Sequence, residues 1–458
     1  MQSLKQNITQ MKKTIYLLLL ASLAIAGCVA TREIPLTVNP EIYATAEQLD
    51  SLPILPSDLS QIKYIHLPDS LIGEDKNNLP TQMLTKDLME SYDMVQLDAL
   101  PGVDFRGIFD IQADDDLLFV TYDVLQKDGE SEGPRVHAIY TRKGKLVAQI
   151  GNPIRSVTKT DKDGRKTSVP YKEIDNDTQY VVDSRIQLNR KKKEVYFNEM
   201  GHKQVYFDYH GNYKRTEYSQ IVSYNMLTTR NRKIGFHINH YVDNWNKFYC
   251  TVLNENGKPT GVAFKDDPLY IIPWISREGL VQVDDNIMLG VEKSDTIWQI
   301  LPDRKVASFV CTGALRASEK IKNNTQYGAT FGDHIITKLQ VTANSNYVLI
   351  NFSYNKRWYY LMYDVSTGHS VMWMPNFEPD PTLIQSNLST TVDYMLLADG
   401  TLLGTSFKTP LEWKKELSLE LDPETAFLKR HDKREEEFIR NLKLDGGPVL
   451  FFVKLKKF

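Results

Sequence analysis

The sequence predicts an all-β chain in which one small antiparallel sheet is repeated around an axis. Three observations carry that expectation. Three strand-like runs follow one another between Ile111 and Gly151, the unit recurs along the chain, and a strongly apolar strand with no local partner stands at the C-terminal end. The first run, Leu117–Tyr122, is apolar at nearly every position, where a half-buried strand would alternate, so both of its faces need cover. Val136–Tyr140, the turn Thr141–Gly144 and Leu146–Ile150 complete a meander. Such a sheet fits a sandwich or a ring of blades, and recurrence decides for the ring.

Taken in order, the chain opens with Met11-Lys12-Lys13 and an apolar run from Thr14 to Ala26, too short to span a bilayer. The run ends in Leu23-Ala24-Ile25-Ala26-Gly27-Cys28, which resembles the bacterial lipoprotein signal, the lipobox. That resemblance implies cleavage before Cys28 and lipid on its thiol, so residues 1–27 are expected as a signal peptide. Acyl chains anchor a protein by burying many CH₂ groups. In lipoproteins of the Bacteroidetes type an acidic run after the Cys directs export to the cell surface. Val29-Ala30-Thr31-Arg32-Glu33 has none, which favours an outer-membrane lipoprotein facing the periplasm. Pro35, Pro40, Pro53 and Pro56 mark residues 28–57 as a tether, with the folded domain expected over 58–458.

The first strand expected is Ile62–Leu67; a short helix fits Leu79–Tyr92, and Tyr92–Leu97 reads as a strand. After the template unit, a turn that needs positive φ locates the copies. The second has Val195–Phe197, Val205–Phe207, Gly211 and Tyr213 onwards; the third has Ile234–Ile238, Phe248–Leu253, Gly257 and Val262–Phe264. The fourth has Ile287–Leu289, Thr296–Ile300, a turn at Pro302-Asp303-Arg304 and Val306–Val310. The fifth has Tyr347–Phe352, Tyr359–Tyr363, Gly368 and Val371–Trp373. Arg190–Lys193 is expected at a solvated hairpin tip, and the insertions Asn152–Gln179 and Gly313–Asp333 as loops on a face of the ring.

A sixth unit is only a hairpin, Tyr394–Leu397 and Leu402-Leu403 around Gly400. Asp422-Pro423 signals a helix N-terminus, so one helix is expected over about 423–442. The apolar run at about 448–455 must pair with something. The expectation is therefore an all-β, six-bladed β-propeller closed by strands from both termini, with one C-terminal helix.

Ser294-Asp295-Thr296-Ile297-Trp298, the tail Pro448-Val449-Leu450 with Lys454-Leu455-Lys456, and the lipobox together resemble the six-bladed propeller lipoproteins common in Bacteroidetes. Many members of that family have no assigned activity. The resemblance implies a fold and a compartment.

Composition narrows the function classes. The formal net charge of -3 over 458 residues leaves no basic footprint for nucleic acid, and three Cys cannot build a disulfide scaffold. Metal ligands need suitable spacing: His237 and His240 sit three apart in a strand and so point to opposite faces, and His431 with Glu435 lacks a third ligand. Asp161-Lys162-Asp163-Gly164 lacks the remaining acceptors of a calcium loop. No Gly-x-Ser-x-Gly, His-Glu-x-x-His, phosphate-cradling glycine loop or sialidase-type Asp-box is present. Cys250 and Cys311 read as separate buried thiols in preference to a disulfide.

Asn244 and Trp245 in one inter-strand stretch and Trp274 in another are the candidate ligand contacts, since a loop Trp flanked by amides suits stacking on a sugar or peptide. The expected function is a non-catalytic binding or accessory module of the cell envelope. It would be held to the membrane through Cys28, need no cofactor, and recognise a protein, peptide or glycan. The alternative is a metal-assisted hydrolase or lyase of the gluconolactonase-like propeller kind. Propellers of that kind assemble scattered carboxylates and Asn around a metal.

Overall fold

The computed structural model describes residues 44, 46–67, 89–101, 105–124, 135–151, 157–160, 166–169, 185–199, 203–221, 223, 225–229, 232–236, 250–265, 280–283, 286–290, 294–313, 339–354, 357–373, 391–397, 399–406, 408–421 and 432–458. Among them six four-stranded antiparallel sheets succeed one another. Blade one consists of Phe105–Asp114, Leu117–Val124, Val136–Thr141 and Leu146–Ile150. Gln187–Asn189, Glu194–Glu199, Lys203–Asp208 and Tyr213–Tyr218 form blade two. Blade three has Asn225–Thr228, Arg232–Phe236, Cys250–Asn254 and Pro259–Ala263. Blade four has Leu280–Val283, Asn286–Gly290, Thr296–Ile300 and Lys305–Thr312. Leu339–Ala343, Tyr347–Tyr354, Arg357–Asp364 and Ser370–Trp373 make blade five.

Blade six is assembled from both ends of the chain. Its order is Thr391–Leu396, Leu402–Ser406, Val449–Leu455 and, outermost, Met89–Gln96. Val449 pairs with Gln96 and Val453 with Tyr92, so the apolar C-terminal run is hydrogen-bonded along both edges. First strands of blades two and three, four and five, and five and six approach one another, which puts the first strand of each sheet nearest the axis.

The core is divided among the gaps between blades, as a ring requires and a sandwich does not. Phe119 and Ile139 of blade one meet Val195 and Phe207 of blade two; Phe236 and Val252 of blade three meet Ile287 and Ile300 of blade four. Blade four meets five through Ile297 and Ile350, and five meets six through Trp373 and Phe451. Leu403 and Leu450 of blade six then lie against Leu118 and Tyr140 of blade one, closing the circle. This explains the unbroken apolar run Leu117–Tyr122: both faces of its blade are covered.

The structure corrects several expectations. A helix does end near residue 442, but it runs over Lys433–Asn441, started by Asp432 as N-cap with a capping box to Glu435, so one continuous helix from 423 is interrupted there; residues 422–431, with Asp422-Pro423, lie outside the described residues. A second helix, Pro410–Leu421, precedes it, and Trp413 and Leu417 bury one side against blade six. Glu435 is buried and accepts from Tyr92 Oη at 2.7 Å, so it is no surface residue. The stretch expected to be tether up to Ser57 is docked from Ala44 on: the short helix Ala46–Asp50 buries Leu49, and Leu55 packs under blade three. Ser57–Asp58 and Lys63–His66 then add parallel to the outer strand of blade four. Met89 begins a strand where a helix up to Tyr92 was expected. The first insertion carries a hairpin, Val157–Thr160 with Lys166–Val169. Arg190–Lys193 is a turn, as expected, but Lys193 Nζ is pinned to Asp114 and Asp115 of blade one at 2.9 and 2.6 Å.

Candidate functional site

Cys28, Asn244, Trp245 and Trp274 lie outside the described residues, as do His237, His240, His431 and Asp161–Gly164. Cys250 and Cys311 are both buried and are not joined in a disulfide. Burial pushes the Cys250 thiol up to about 12, far from the range of a reactive thiolate. The chemistry visible in the described residues is elsewhere, in three places that sequence reading did not single out.

The first is the inner part of blade one. Ile108 faces Tyr122 and Asp110 faces Thr121, which leaves Phe109 as an extra residue, a β-bulge that re-aims its neighbours. The Arg135 guanidinium lies 3.2 Å from the Phe109 ring centroid and that of Arg185 lies 5.1 Å away. Arg135 Nε also donates to Asp123 Oδ1 at 3.2 Å. Asp110, Thr121 and His137 are paired in register across three strands, with Thr121 Oγ1 and His137 Nδ1 3.0 Å apart. The His137 ring packs on Phe197 of blade two at 4.5 Å.

Three atoms here are shielded and have no hydrogen-bond partner: Asp110 Oδ2, His137 Nε2 and Arg185 Nε. Each such orphan costs free energy, about 1–3 kcal/mol, so clustered orphans mark a place that a polar group can fill. Burial pushes the Asp110 carboxyl up to about 6 against the pull of Arg185 and Arg135. It also pushes His137 down to about 3, helped by the Arg135 charge. The row can therefore offer an acceptor and a neutral imidazole to a small polar group.

The second place is the gap between blades two and three, where apolar packing gives way to charge. Lys214 and Arg215 hold Glu194, with Arg215 bidentate at 2.7 and 3.1 Å; Arg215 continues to Glu217 at 2.5 Å, and Lys233 reaches Glu217 at 2.6 Å. Glu194 and Lys233 are buried. Burial alone would raise Glu217, but Lys233 and Arg215 hold its carboxyl below the usual range. Tyr206 stacks on Tyr196 and bonds Gln204 and Thr228. Every charge in the chain has an opposite partner, which marks it as a blade-joining network.

The third is a groove of about 570 Å³ at the closing seam. It is lined by Met94, Val95, Phe438 and Phe452, with Arg142, Lys143 and Lys454 among the polar groups. Arg142 is tied to Asp399 at 2.8 Å. Among the described residues no three His, Cys, Asp or Glu side chains converge as a metal site, and no helix is long and apolar enough to cross a membrane.

The signals for the first place were present but weak. His137 sits in the apolar run Val136–Tyr140 and Asp110 in Ile108–Ile111, and a polar residue inside a buried strand is the mark to look for.

Six sheets, one axis and a seam shared by the two ends of the chain define a six-bladed β-propeller. Residues 179–390 match a family model described as a 6-bladed beta-propeller. Among solved structures, the chain is similar to a candidate exported protein of Bacteroides fragilis at 12% identity and a TM-score of 0.59, over 82% of this chain and 97% of that one. It also overlaps BamB from Moraxella catarrhalis (10% identity, TM-score 0.28, 69% and 76% of the two chains). A third overlap is with the β-propeller domain of the Trilobed protease from Pyrococcus furiosus (7%, 0.32, 66% and 90%). No curated protein matches the chain.

Proposed function

We propose that this chain is a lipid-anchored propeller of the bacterial envelope that binds a protein, peptide or glycan without turning it over. The observation that carries the reading is the lipobox-like run Leu23–Cys28 ahead of a closed ring. The described inter-blade charges are mutually compensated, and the B. fragilis protein of the same fold is itself described as a candidate exported protein. The absence of an acidic run after Cys28 supports periplasm-facing attachment at the outer membrane over the cell surface. Asn244, Trp245 and Trp274 are the proposed ligand contacts, since aromatic side chains supply large contact area at low entropic cost.

Metabolic labelling with an alkynyl fatty acid is expected to mark the wild-type chain and not Cys28→Ala; an unmarked wild type overturns the anchor. Arrays of envelope glycans and peptides then read the ligand class, with Trp245→Ala and Trp274→Ala expected to lower binding by roughly tenfold or more. A stoichiometric, tightly held divalent ion in the purified protein would move the reading to a metal-assisted hydrolase or lyase.

A further inference from the structure

The N-terminal strap has an inward and an outward side. Leu55, Ile65 and Leu67 point in and are buried in the cores of blades three to five. Outward stand Ile54 (53% exposed), Leu59 (59%) and Tyr64 (64%), three of the seven exposed large apolar side chains among the described residues, all within eleven positions. Single exposed apolar residues are ordinary, but a concentration on one edge is not. The strap follows the rim: Ile54 bridges Val262 of blade three, Ser57 pairs with Lys305 and Tyr64 with Val310 of blade four.

Charge on that edge points the same way. From Ser51 to His66 the sole acidic residue is Asp58, whose Oδ1 accepts from the backbone N and Oγ of Ser60 at 3.0 and 2.6 Å. Lys63 alternates with Tyr64 along the strand, on the side of Ile65, and its Nζ donates to Val365 O of blade five at 3.1 Å, so it takes no part in the outward face. An outward face with aliphatic side chains, a Tyr and little acidic charge suits the headgroup boundary of a bilayer, where an aromatic ring with a polar tip is favoured.

Chain length supplies the link. Sixteen residue steps separate Cys28 from Ala44, whose N–H is already bonded to Gln220 O on the ring. At about 3.3–3.6 Å per residue even a fully extended connection reaches roughly 55 Å. A lipid on Cys28 therefore limits the start of the strap to within about 55 Å of the bilayer surface, near enough for the strap to reach it.

We propose that the outer rim of blades three and four, from Ile54 to Tyr64, is a bilayer-docking edge that holds the propeller edge-on to the membrane. This rests on the anchor reading above. In that pose the axis lies along the membrane plane and both faces of the ring open to solvent. The occupant of the strap is the lipid surface itself.

The test uses the acylated full-length chain in vesicles of phosphatidylethanolamine and phosphatidylglycerol, with or without brominated acyl chains that quench nearby Trp. Tyr64→Trp adds a reporter on the strap. Val147→Trp, at a 41% exposed position on the outer strand of blade one, adds one across the ring. After subtraction of the parent signal, Tyr64→Trp emission is expected to fall by about half or more in brominated vesicles, and Val147→Trp emission to stay unchanged. Leu59→Asp in the Tyr64→Trp background is expected to reverse most of that loss while leaving the circular dichroism melt unchanged. Equal quenching at both sites, or none at residue 64 of an acylated, vesicle-bound chain, overturns edge-on docking and leaves the anchor standing. Absence of the acyl label at Cys28 overturns the anchor, and the docking pose falls with it.

Discussion

Burial sets the protonation of the polar row in blade one. Asp110, up at about 6 through desolvation, holds its proton more tightly in the fold than in the unfolded chain, where a carboxyl titrates near about 3.9. Its stabilising contribution is therefore complete below the unfolded value and is withdrawn as pH rises through about 6. Above pH 7 the ionised carboxylate, with Oδ2 shielded and unpaired, is a liability on the order of 2 kcal/mol. His137 has the opposite sign. It is held down at about 3, so stability is lost as pH falls from about 6.5, where the unfolded chain takes up a proton, towards the folded value. Asp110→Asn is expected to raise the urea midpoint at pH 7.5 by the equivalent of about 2 kcal/mol and to change it little at pH 4, because His137 is common to both proteins. An unchanged midpoint at pH 7.5 would mean that Asp110 is solvated or paired in solution.

At the scale of the element, the tight glycine turns between neighbouring strands of a blade are the informative piece. Gly144, Gly211, Gly257, Gly368 and Gly400 all adopt positive φ, as the recurring turn requires. Gly144 carries a second constraint, since a Cβ there would come within 2.2 Å of Gln96 O on the outer strand of blade six. At Gly368 the nearest atom would be Tyr363 Oη at 3.8 Å. Gly368→Ala is thus expected to cost about 1 kcal/mol from backbone strain alone, and Gly144→Ala about 3 kcal/mol or more because the seam must open. Equal losses in a denaturant series would remove the seam from the explanation. The second and third strands of every blade were legible because β-branched and aromatic residues fill them, as in Tyr347–Phe352 and Tyr359–Tyr363. First strands of blades one to five were missed: Gln187–Asn189 is three residues long and polar at both ends, and the bulge at Phe109 breaks the period of two. Asp422-Pro423 and Asp432-Lys433-Arg434-Glu435 both read as caps; the described helix starts from the second, where Tyr92 bonds Asp432 and Glu435. The row Asp110, Thr121 and His137 was illegible as a unit, since only strand register brings its members into line.

For the whole molecule the decisive feature is the seam. Deleting Val449–Phe458 strips blade six of its third strand and leaves Met89–Gln96 without a partner, while Trp413, Ile439 and Leu403 lose apolar cover. Such a chain is expected to lose its cooperative thermal transition by circular dichroism; a retained sharp melt would show that five blades suffice. Strands that wait for each other from opposite ends of a polypeptide also impose a schedule. Met89–Gln96 leaves the ribosome before the other strands of all six blades and finds its neighbour only once Val449–Leu455 has been made, so until then a growing chain cannot lock into its final shape. A ring fastened in this way stays open, and its chain threadable, until the seam strand has been made.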